Sequence, residues 1–239
     1  MKIALTFTGN AEKHQYYVDW LKANSNIEVV KLSEEENNLD QLAQCDALVL
    51  SGGIDIHPKF YKNNTTDYEG RPGKFNENRD EFEINAFQSA QENNLPVLGI
   101  CRGLQLINII YNGTLVQNLS NPVLLNTHIG NPDKSHTAII EPGTILSDIV
   151  GEGEGKVQIN SAHHQSIDKL GDGLLINAIS TDNIIEGIER KNKPDKPFLL
   201  AIQWHPERMF RFHLENSAAS KAIRNRFIEE VKKSIKHKK

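Results

Sequence analysis

Short apolar runs alternate with helix-spaced segments through the first half of the chain. Residues 2–8 (KIALTFT) read as a buried strand, and residues 11–24 follow with helical spacing that includes Tyr17, Trp20 and Leu21. A second strand is expected over 27–31 (IEVVK), a short helix over 39–44, and an apolar strand over 47–51 (ALVLS) that runs straight into Gly52 and Gly53. Residues 79–93 read as a helix with Phe82, Ala86 and Phe87 on one side. Pro96 opens the strand PVLGI, which ends at Cys101, and a helix follows over about 103–111. Strand–helix alternation of this kind predicts an α/β fold, a mostly parallel sheet with helices on both faces.

The second half is richer in strands: TLVQ (114–117), TAIIE (137–141), KVQI (156–159), LLINAIS (174–180), NIIEGIER (183–190) and FLLAIQW (198–204). Strands that follow one another without helices between them predict additional antiparallel pairing there. A last helix is expected over about 216–236. Residues 54–78, rich in Asn, Asp, Gly, Pro and Lys, read as one long loop, and loops of that length in compact domains are usually functional or mobile. No internal repeat or linker divides the sequence, so residues 1–239 read as one domain.

Composition changes this picture little and excludes several classes. The hydrophobic share is 38%, the charged share 24% and the formal net charge −4, which is ordinary for a soluble globular chain. Mild acidity argues against nucleic acid and against anionic membrane as partners, since both demand a basic surface. The basic C-terminus (Lys232, Lys233, Lys236, Lys238, Lys239) suits the end of a solvated helix. Two cysteines, Cys45 and Cys101, make no disulfide scaffold. The start MKIALTFTGN reads as a strand rather than a signal peptide, and no run reaches the roughly 18 apolar residues of a membrane span. A cytoplasmic protein is expected.

Cys101 carries the candidate chemistry. It ends an apolar strand, a helix begins at once, and Gly99 and Gly103 flank it at two residues on either side. This is the sharp strand-to-helix turn that presents a nucleophile at the C-terminal edge of a sheet. The helix dipole there lowers a thiol pKa, and N–H groups at the helix start, notably that of Arg102, suit a developing oxyanion. By itself the GxCxG frame fits a buried structural cysteine equally well. Cys45 lacks the glycine frame and reads as a packing residue. Near the end of the last strand stands AIQWHPE (201–207). A catalytic thiol needs an imidazole to take its proton, and the imidazole needs a carboxylate to orient it. His205 and Glu207 face the same side if the segment is extended, which Pro206 favours.

SGGIDIHPKFY, RDEFEINAFQSA, PVLGICRGLQLINIIYNGTLVQNL, INSAHHQSI and AIQWHPE occur in that order over nearly the whole chain. Together they resemble the class I glutamine amidotransferase-like superfamily, in its γ-glutamyl-γ-aminobutyrate hydrolase branch, peptidase family C26. The resemblance implies a doubly wound, flavodoxin-like sheet and a Cys101–His205–Glu207 triad. It implies oxyanion-hole amides from Gly53 and Arg102, and a pocket for the glutamyl head group lined by Gln105. It further implies that the polar segment Asn160, Ser161, His163, His164, Gln165 reaches the substrate, with Ser161, His163 and His164 as binding residues. Adjacent histidines on an extended segment point opposite ways, so at most one of the two is expected to do so. Arg79, Asp80 and Glu83 open a helix and are expected to scaffold the active-site loop. The branch has two glycines where this chain has Asn112 and Gly113, and asparagine tolerates the left-handed conformation needed there.

The implied activity is hydrolysis of small γ-glutamyl amides by a γ-glutamyl thioester, with water as the second substrate. The leaving amine is left open between γ-aminobutyrate, other amines and polyglutamate, because loops 54–78 and 120–136 set it. Rival readings are a glutaminase subunit that delivers ammonia to a separate synthetase, and a non-catalytic γ-glutamyl-ligand binding module. A metal site built from His128, His136, His163 and His164 is a further rival. It has no motif such as HExxH, and the family resembled needs no metal, so no cofactor is expected. Monomer and homodimer both remain open.

Overall fold

A computed structural model describes residues 1–23, 25–61, 65–130, 132–151, 155–192 and 196–237. Lys238 and Lys239, and residues 62–64 and 131 of the two loops expected to set specificity, lie outside these. In chain order the strands and helices are β1 (Lys2–Thr6), α1 (Ala11–Lys22), β2 (Glu28–Leu32), β3 (Ala47–Leu50), α2 (Glu77–Glu92), β4 (Val97–Ile100) and α3 (Arg102–Ile110). They continue with β5 (Leu115–Val116), α4 (Pro122–His128), β6 (Lys134–Ile140), α5 (Ile145–Val150), β7 (Lys156–Ser161) and β8 (Ser166–Ile167). The chain ends with β9 (Leu174–Ser180), β10 (Ile185–Arg190), β11 (Leu199–Ile202) and α6 (Ile223–His237).

Nine strands form one sheet in the order β2-β1-β3-β4-β11-β10-β9-β6-β7. From β2 to β11 neighbours are parallel; from β11 to β7 they are antiparallel. The parallel strands are apolar at nearly every position because both faces are covered. Ile3, Leu5, Val49, Leu98, Ile100, Leu200 and Ile202 turn to one face, against Trp20 and Leu21 of α1 and Phe227 of α6. Their alternates Ala4, Leu48, Leu50, Val97 and Ala201 turn to the other, against Phe82 and Phe87 of α2 and Leu104 and Ile107 of α3. The period of two is thus the sheet's own, and the layered architecture follows from it.

Register places the site. Leu98 pairs with Leu200 and Ile100 with Ile202, while Leu50 pairs with Gly99. The C-terminal ends of β3, β4 and β11 therefore lie side by side. The residues that leave them, Gly52–Gly53, Cys101 and Gln203–His205, fall at one edge, where open α/β sheets keep their crevice.

Several expected boundaries move. The segment at 39–44 is a 3₁₀ helix, Leu39–Gln44. The loop at 54–78 contains a 3₁₀ turn, Pro58–Tyr61, and the short helices α4 and α5 occupy stretches where no element is expected. The last α-helix starts at Ile223, after a π-helical turn over Ala218–Ala222. The largest change is at Pro206, which opens a 3₁₀ helix, Pro206–Phe212, instead of stiffening an extended segment. Proline favours the first position of a helical turn because its missing N–H would have no partner there. No helix among the described residues is long and apolar enough to cross a membrane.

Candidate active site

The turn from β4 to α3 is strained at the residue that matters. Cys101 has φ 53° and ψ −103°, a conformation that non-glycine residues rarely adopt. It persists because both sides hold it. The Cys101 N–H donates to the Ile202 carbonyl at 2.8 Å, and the Cys101 carbonyl accepts from Leu104 and Gln105 at 3.0 and 3.2 Å. Gly103 is obligatory, since a Cβ there would lie 2.3 Å from the Leu50 carbonyl oxygen. Asn112, just beyond the far end of α3, has φ 65°, as its tolerance of the left-handed region predicts.

Cys101 and His205 meet over Gly52. A Cβ placed on Gly52 would lie 3.0 Å from His205 Cε1 and 3.6 Å from Cys101 Cβ. His205 Nδ1 lies 2.8 Å from Glu207 Oε1, so the 3₁₀ turn brings the carboxylate to the ring as effectively as an extended segment would. Nδ1–H donates to Glu207, which leaves Nε2 for the thiol. The His205 backbone N–H donates to Asn160 Oδ1 at 3.1 Å, and the Tyr17 hydroxyl lies 3.4 Å from Nδ1. The hydroxyl also accepts from the Gly52 N–H at 3.0 Å. Gln203 Nε2 donates to Cys101 Sγ at 3.5 Å. Tyr17 reads from sequence only as a core aromatic. Gln203 also escapes sequence reasoning; the signal that could have found it is its place two residues before His205 on the same segment.

The electrostatics favour a thiolate–imidazolium pair. Burial alone would push the Cys101 thiol up, but His205 beside it brings it below its ordinary value, with help from His163 and Arg208. Burial and Arg208 would push His205 down, yet Glu207 and Cys101 raise it to about 9. Glu207, raised by burial, is held below the usual carboxylate range by His205. Both directions favour the proton on His205 over Cys101. Cys45, by contrast, is pushed up to about 11 by burial, and its thiol donates to the Gln41 carbonyl at 3.4 Å, as a packing residue should.

Arg79, Asp80 and Glu83 scaffold this edge directly. Arg102 turns its side chain away from Cys101 into a fully buried ion pair with both Asp80 and Glu83. Arg79 pairs with Glu83 at 2.9 Å and donates to the Gly52 carbonyl at 2.9 Å. With the Gly52 carbonyl turned to Arg79, trans peptide geometry turns the Gly53 N–H the opposite way. Gly53 has no room for a side chain, because a Cβ would lie 2.1 Å from Arg79 Nη1.

Cys101, His205, Glu207, Gly52 and Gly53 line a cavity of about 740 Å³. Its other walls include Lys13, Glu34, Asp133, Ala162, Arg208 and Arg211. The residues expected to bind substrate are placed behind this wall. Gln105 is buried and donates to Gln203 Oε1 and to the Gln165 carbonyl, each at 3.3 Å. Ser161 is fully buried and donates to the His128 carbonyl at 3.1 Å. His163 and His164 do point opposite ways: His163 turns inward, and His164 bonds Asp55 at 2.9 Å in the 54–78 loop. None of the four is among the cavity-lining residues, whereas Ala162 between them is. Of the four histidines weighed as metal ligands, His128, His136 and His163 converge on Glu186 and His164 does not. Arg208 and Glu186 escape sequence reasoning, because neither stands in a motif read as functional.

Known proteins resemble the chain throughout. A glutamine amidotransferase-like protein of Rickettsia prowazekii is 33% identical over 235 residues, covering 80% of each chain. The γ-glutamyl-γ-aminobutyrate hydrolase PuuD of Escherichia coli is 30% identical over 183 residues, covering 72% of this chain and 68% of its own. Among solved structures, the glutaminase domain of Trypanosoma brucei CTPS with bound acivicin superposes with TM-score 0.61 at 16% identity, over 98% of this chain and 94% of that one. A Thermoplasma acidophilum protein described as a GMP synthase subunit gives TM-score 0.62 at 19% identity, over 96% and 98%. These two bear on the fold, a mixed sheet flanked by helices and parallel in its first half. Residues 8–207 match the peptidase C26 family, and the chain belongs to it.

Proposed function

We propose that the chain is a cysteine-dependent hydrolase that cleaves the amide bond of small γ-glutamyl amines. The observation that carries this reading is the left-handed Cys101 packed beside an imidazole whose far nitrogen lies 2.8 Å from Glu207. The name of the relative PuuD, a γ-glutamyl-γ-aminobutyrate hydrolase, supports the substrate class.

In the proposed reaction the Cys101 thiolate attacks the γ-carbonyl carbon, and the carbonyl π electrons move to oxygen. The N–H groups of Gly53 and Arg102 receive that oxyanion; the Arg79 bond to the Gly52 carbonyl holds the first of them in place. The C–N bond breaks as His205 Nε2 protonates the leaving amine, giving a γ-glutamyl thioester. Neutral His205 then takes a proton from water, hydroxide attacks the thioester, and glutamate leaves as the thiolate and imidazolium are restored. Arg208 is the candidate cation for a substrate carboxylate: it lines the cavity, and its Nη2 is buried without a hydrogen-bond partner among the described residues.

The purified chain alone should hydrolyse γ-glutamyl-γ-aminobutyrate, and a glutamine-analogue electrophile should label Cys101. Cys101→Ala should fold and lose turnover entirely. An active Cys101→Ala protein would sink the mechanism; activity that appears only with a synthetase present would instead favour the ammonia-delivering reading.

A further inference from the structure

Behind the cavity wall, three imidazoles from three elements face one carboxylate. His128 ends α4, His136 lies on β6, His163 follows β7 and Glu186 lies on β10. Their side chains are 0%, 7%, 2% and 0% exposed. Glu186 Oε1 is 3.4 Å from His128 Nδ1 and 3.6 Å from Nε2 of both His136 and His163. The longer separations are not hydrogen bonds. Neither Glu186 oxygen has a hydrogen-bond partner among the described residues, and neither has Nε2 of His136 or His163. Buried polar atoms left like this are costly and call for a ligand.

The outer nitrogens decide what kind. His163 Nδ1 lies 2.9 Å from the Gln165 carbonyl, His136 Nδ1 3.4 Å from the Thr137 carbonyl, and His128 Nε2 3.1 Å from Asp182 Oδ2. A ring nitrogen facing an acceptor carries the N–H, so in each neutral imidazole the inner nitrogen holds a lone pair. Ser161 Oγ, 3.3 Å from His128 Nδ1, gives its proton to the His128 carbonyl instead. With all three imidazoles neutral, three lone pairs converge on an anionic carboxylate, an arrangement that repels itself unless positive charge sits between, supplied by a bound cation or by a proton on His163, which burial disfavours but Glu186 favours. Carbonyl and carboxylate partners on the outer nitrogen are also how ligating histidines are oriented.

We infer that His128 Nδ1, His163 Nε2 and Glu186 bind a zinc ion, with His136 Nε2 turning in as fourth ligand and Asp182 orienting His128. A tetrahedral ion with bonds of about 2.0–2.1 Å separates its ligands by roughly 3.3–3.4 Å, close to the spacing here. The donor atoms of His128, His163 and Glu186 all lie within 4.8 Å of one another. Three imidazoles and one carboxylate suit zinc better than magnesium or calcium. A closed set of four protein ligands makes the site structural. It would pin the 160–165 segment, whose Asn160 holds the His205 N–H and whose Gln165 carbonyl accepts from Gln105. The expectation of no metal rested on the family resembled and on the absence of a motif such as HExxH, and ligands drawn from separate elements leave no such motif.

The test uses wild-type protein. Metal analysis after purification without chelators should find about one zinc per chain. Chelator-treated protein should melt at lower temperature and take up Co²⁺ with the visible bands of a tetrahedral ion. Those bands should survive in Cys101→Ala and vanish in Glu186→Gln. Chelated wild type that binds no Co²⁺, as expected for a cluster held by protons alone, would overturn the inference. So would bands lost in Cys101→Ala and kept in Glu186→Gln, or a melting temperature indifferent to the metal.

Discussion

The parallel and antiparallel halves of the sheet each bury a polar cluster beside Cys101, and the two are balanced differently. In the parallel half, Arg79 and Arg102 meet Asp80 and Glu83, two cations against two carboxylates, with ion pairs linking all four. In the antiparallel half, three imidazoles turn their spare nitrogens to Glu186 alone. The first cluster is charge-balanced within itself and acts as a brace, although Arg102 Nε has no hydrogen-bond partner among the described residues and burial raises Asp80. Burial would raise Glu83, yet Arg102 and Arg79 hold it below its usual value, as expected of a carboxylate kept ionised by its partners. The second cluster is balanced only by a positive charge among its imidazoles, from a proton on His163 or from a bound cation. Proximity of buried polar groups therefore says little until donors and acceptors are matched one by one.

The brace can be broken at one residue. Arg102→Met removes the cation shared by Asp80 and Glu83 and leaves two buried carboxylates with Arg79 alone. Removing one side of a buried pair costs about 3–5 kcal/mol, the largest effect expected from these substitutions. Denaturant unfolding should show it as a lower midpoint. A variant as stable as wild type would mean that the quartet is not the brace described.

The same contrast explains what the sequence disclosed. Cys101, His205 and Glu207 stood out as candidates because each lies in a local frame, GxCxG or WHPE. Strands such as LLINAIS and VLGI were legible because each is a run of apolar side chains between turn residues. The helix over 122–128 was not, since its only buried side chain is His128 and it shows no apolar stripe. The expected contact between Glu207 and His205 forms on a backbone other than the extended one expected, because a 3₁₀ turn and an extended segment both bring residue i+2 near residue i. The binding roles of Gln105, Ser161 and His163 follow from resemblance, and their burial behind the cavity wall emerges only once β7, β10 and β11 lie together. The convergence on Glu186 needs the same packing.

A second prediction concerns charge around the imidazolium. In the proposed reaction His205 must keep its proton to release the amine, so kcat/KM should fall as pH rises through about 9. On the acid side, activity should fall as Cys101 gains a proton, at a pH below the ordinary thiol range. Arg208 lowers both groups, so Arg208→Gln should move both limbs of the profile to higher pH. If Arg208 also receives a substrate carboxylate, the loss of a hydrogen bond to a charged group, about 1.5–3 kcal/mol, should raise KM by roughly ten- to a hundredfold. A KM change without the pH shift would separate substrate binding from the electrostatic role, and neither change would remove Arg208 from the site.

The smallest effect sharpens the comparison, because it tests a neutral link between the halves of the catalytic edge. The Tyr17 hydroxyl accepts from the Gly52 N–H at 3.0 Å and lies 3.4 Å from His205 Nδ1, so one oxygen ties the β3 turn to the imidazole. Tyr17→Phe leaves the Gly52 N–H without that acceptor. Gly52 lines the cavity, so water can replace the lost oxygen, and the cost in stability should be about 1 kcal/mol, the low end for an orphaned buried group. Glu207 still orients the ring at 2.8 Å, so kcat should drop by only about tenfold, far less than for a member of the proposed triad. Because the Gly52 carbonyl remains bound to Arg79, the Gly53 N–H keeps its direction and KM should change little. A collapse in kcat to the level of Cys101→Ala would show that the hydroxyl, rather than the ion-pair brace, governs the turn.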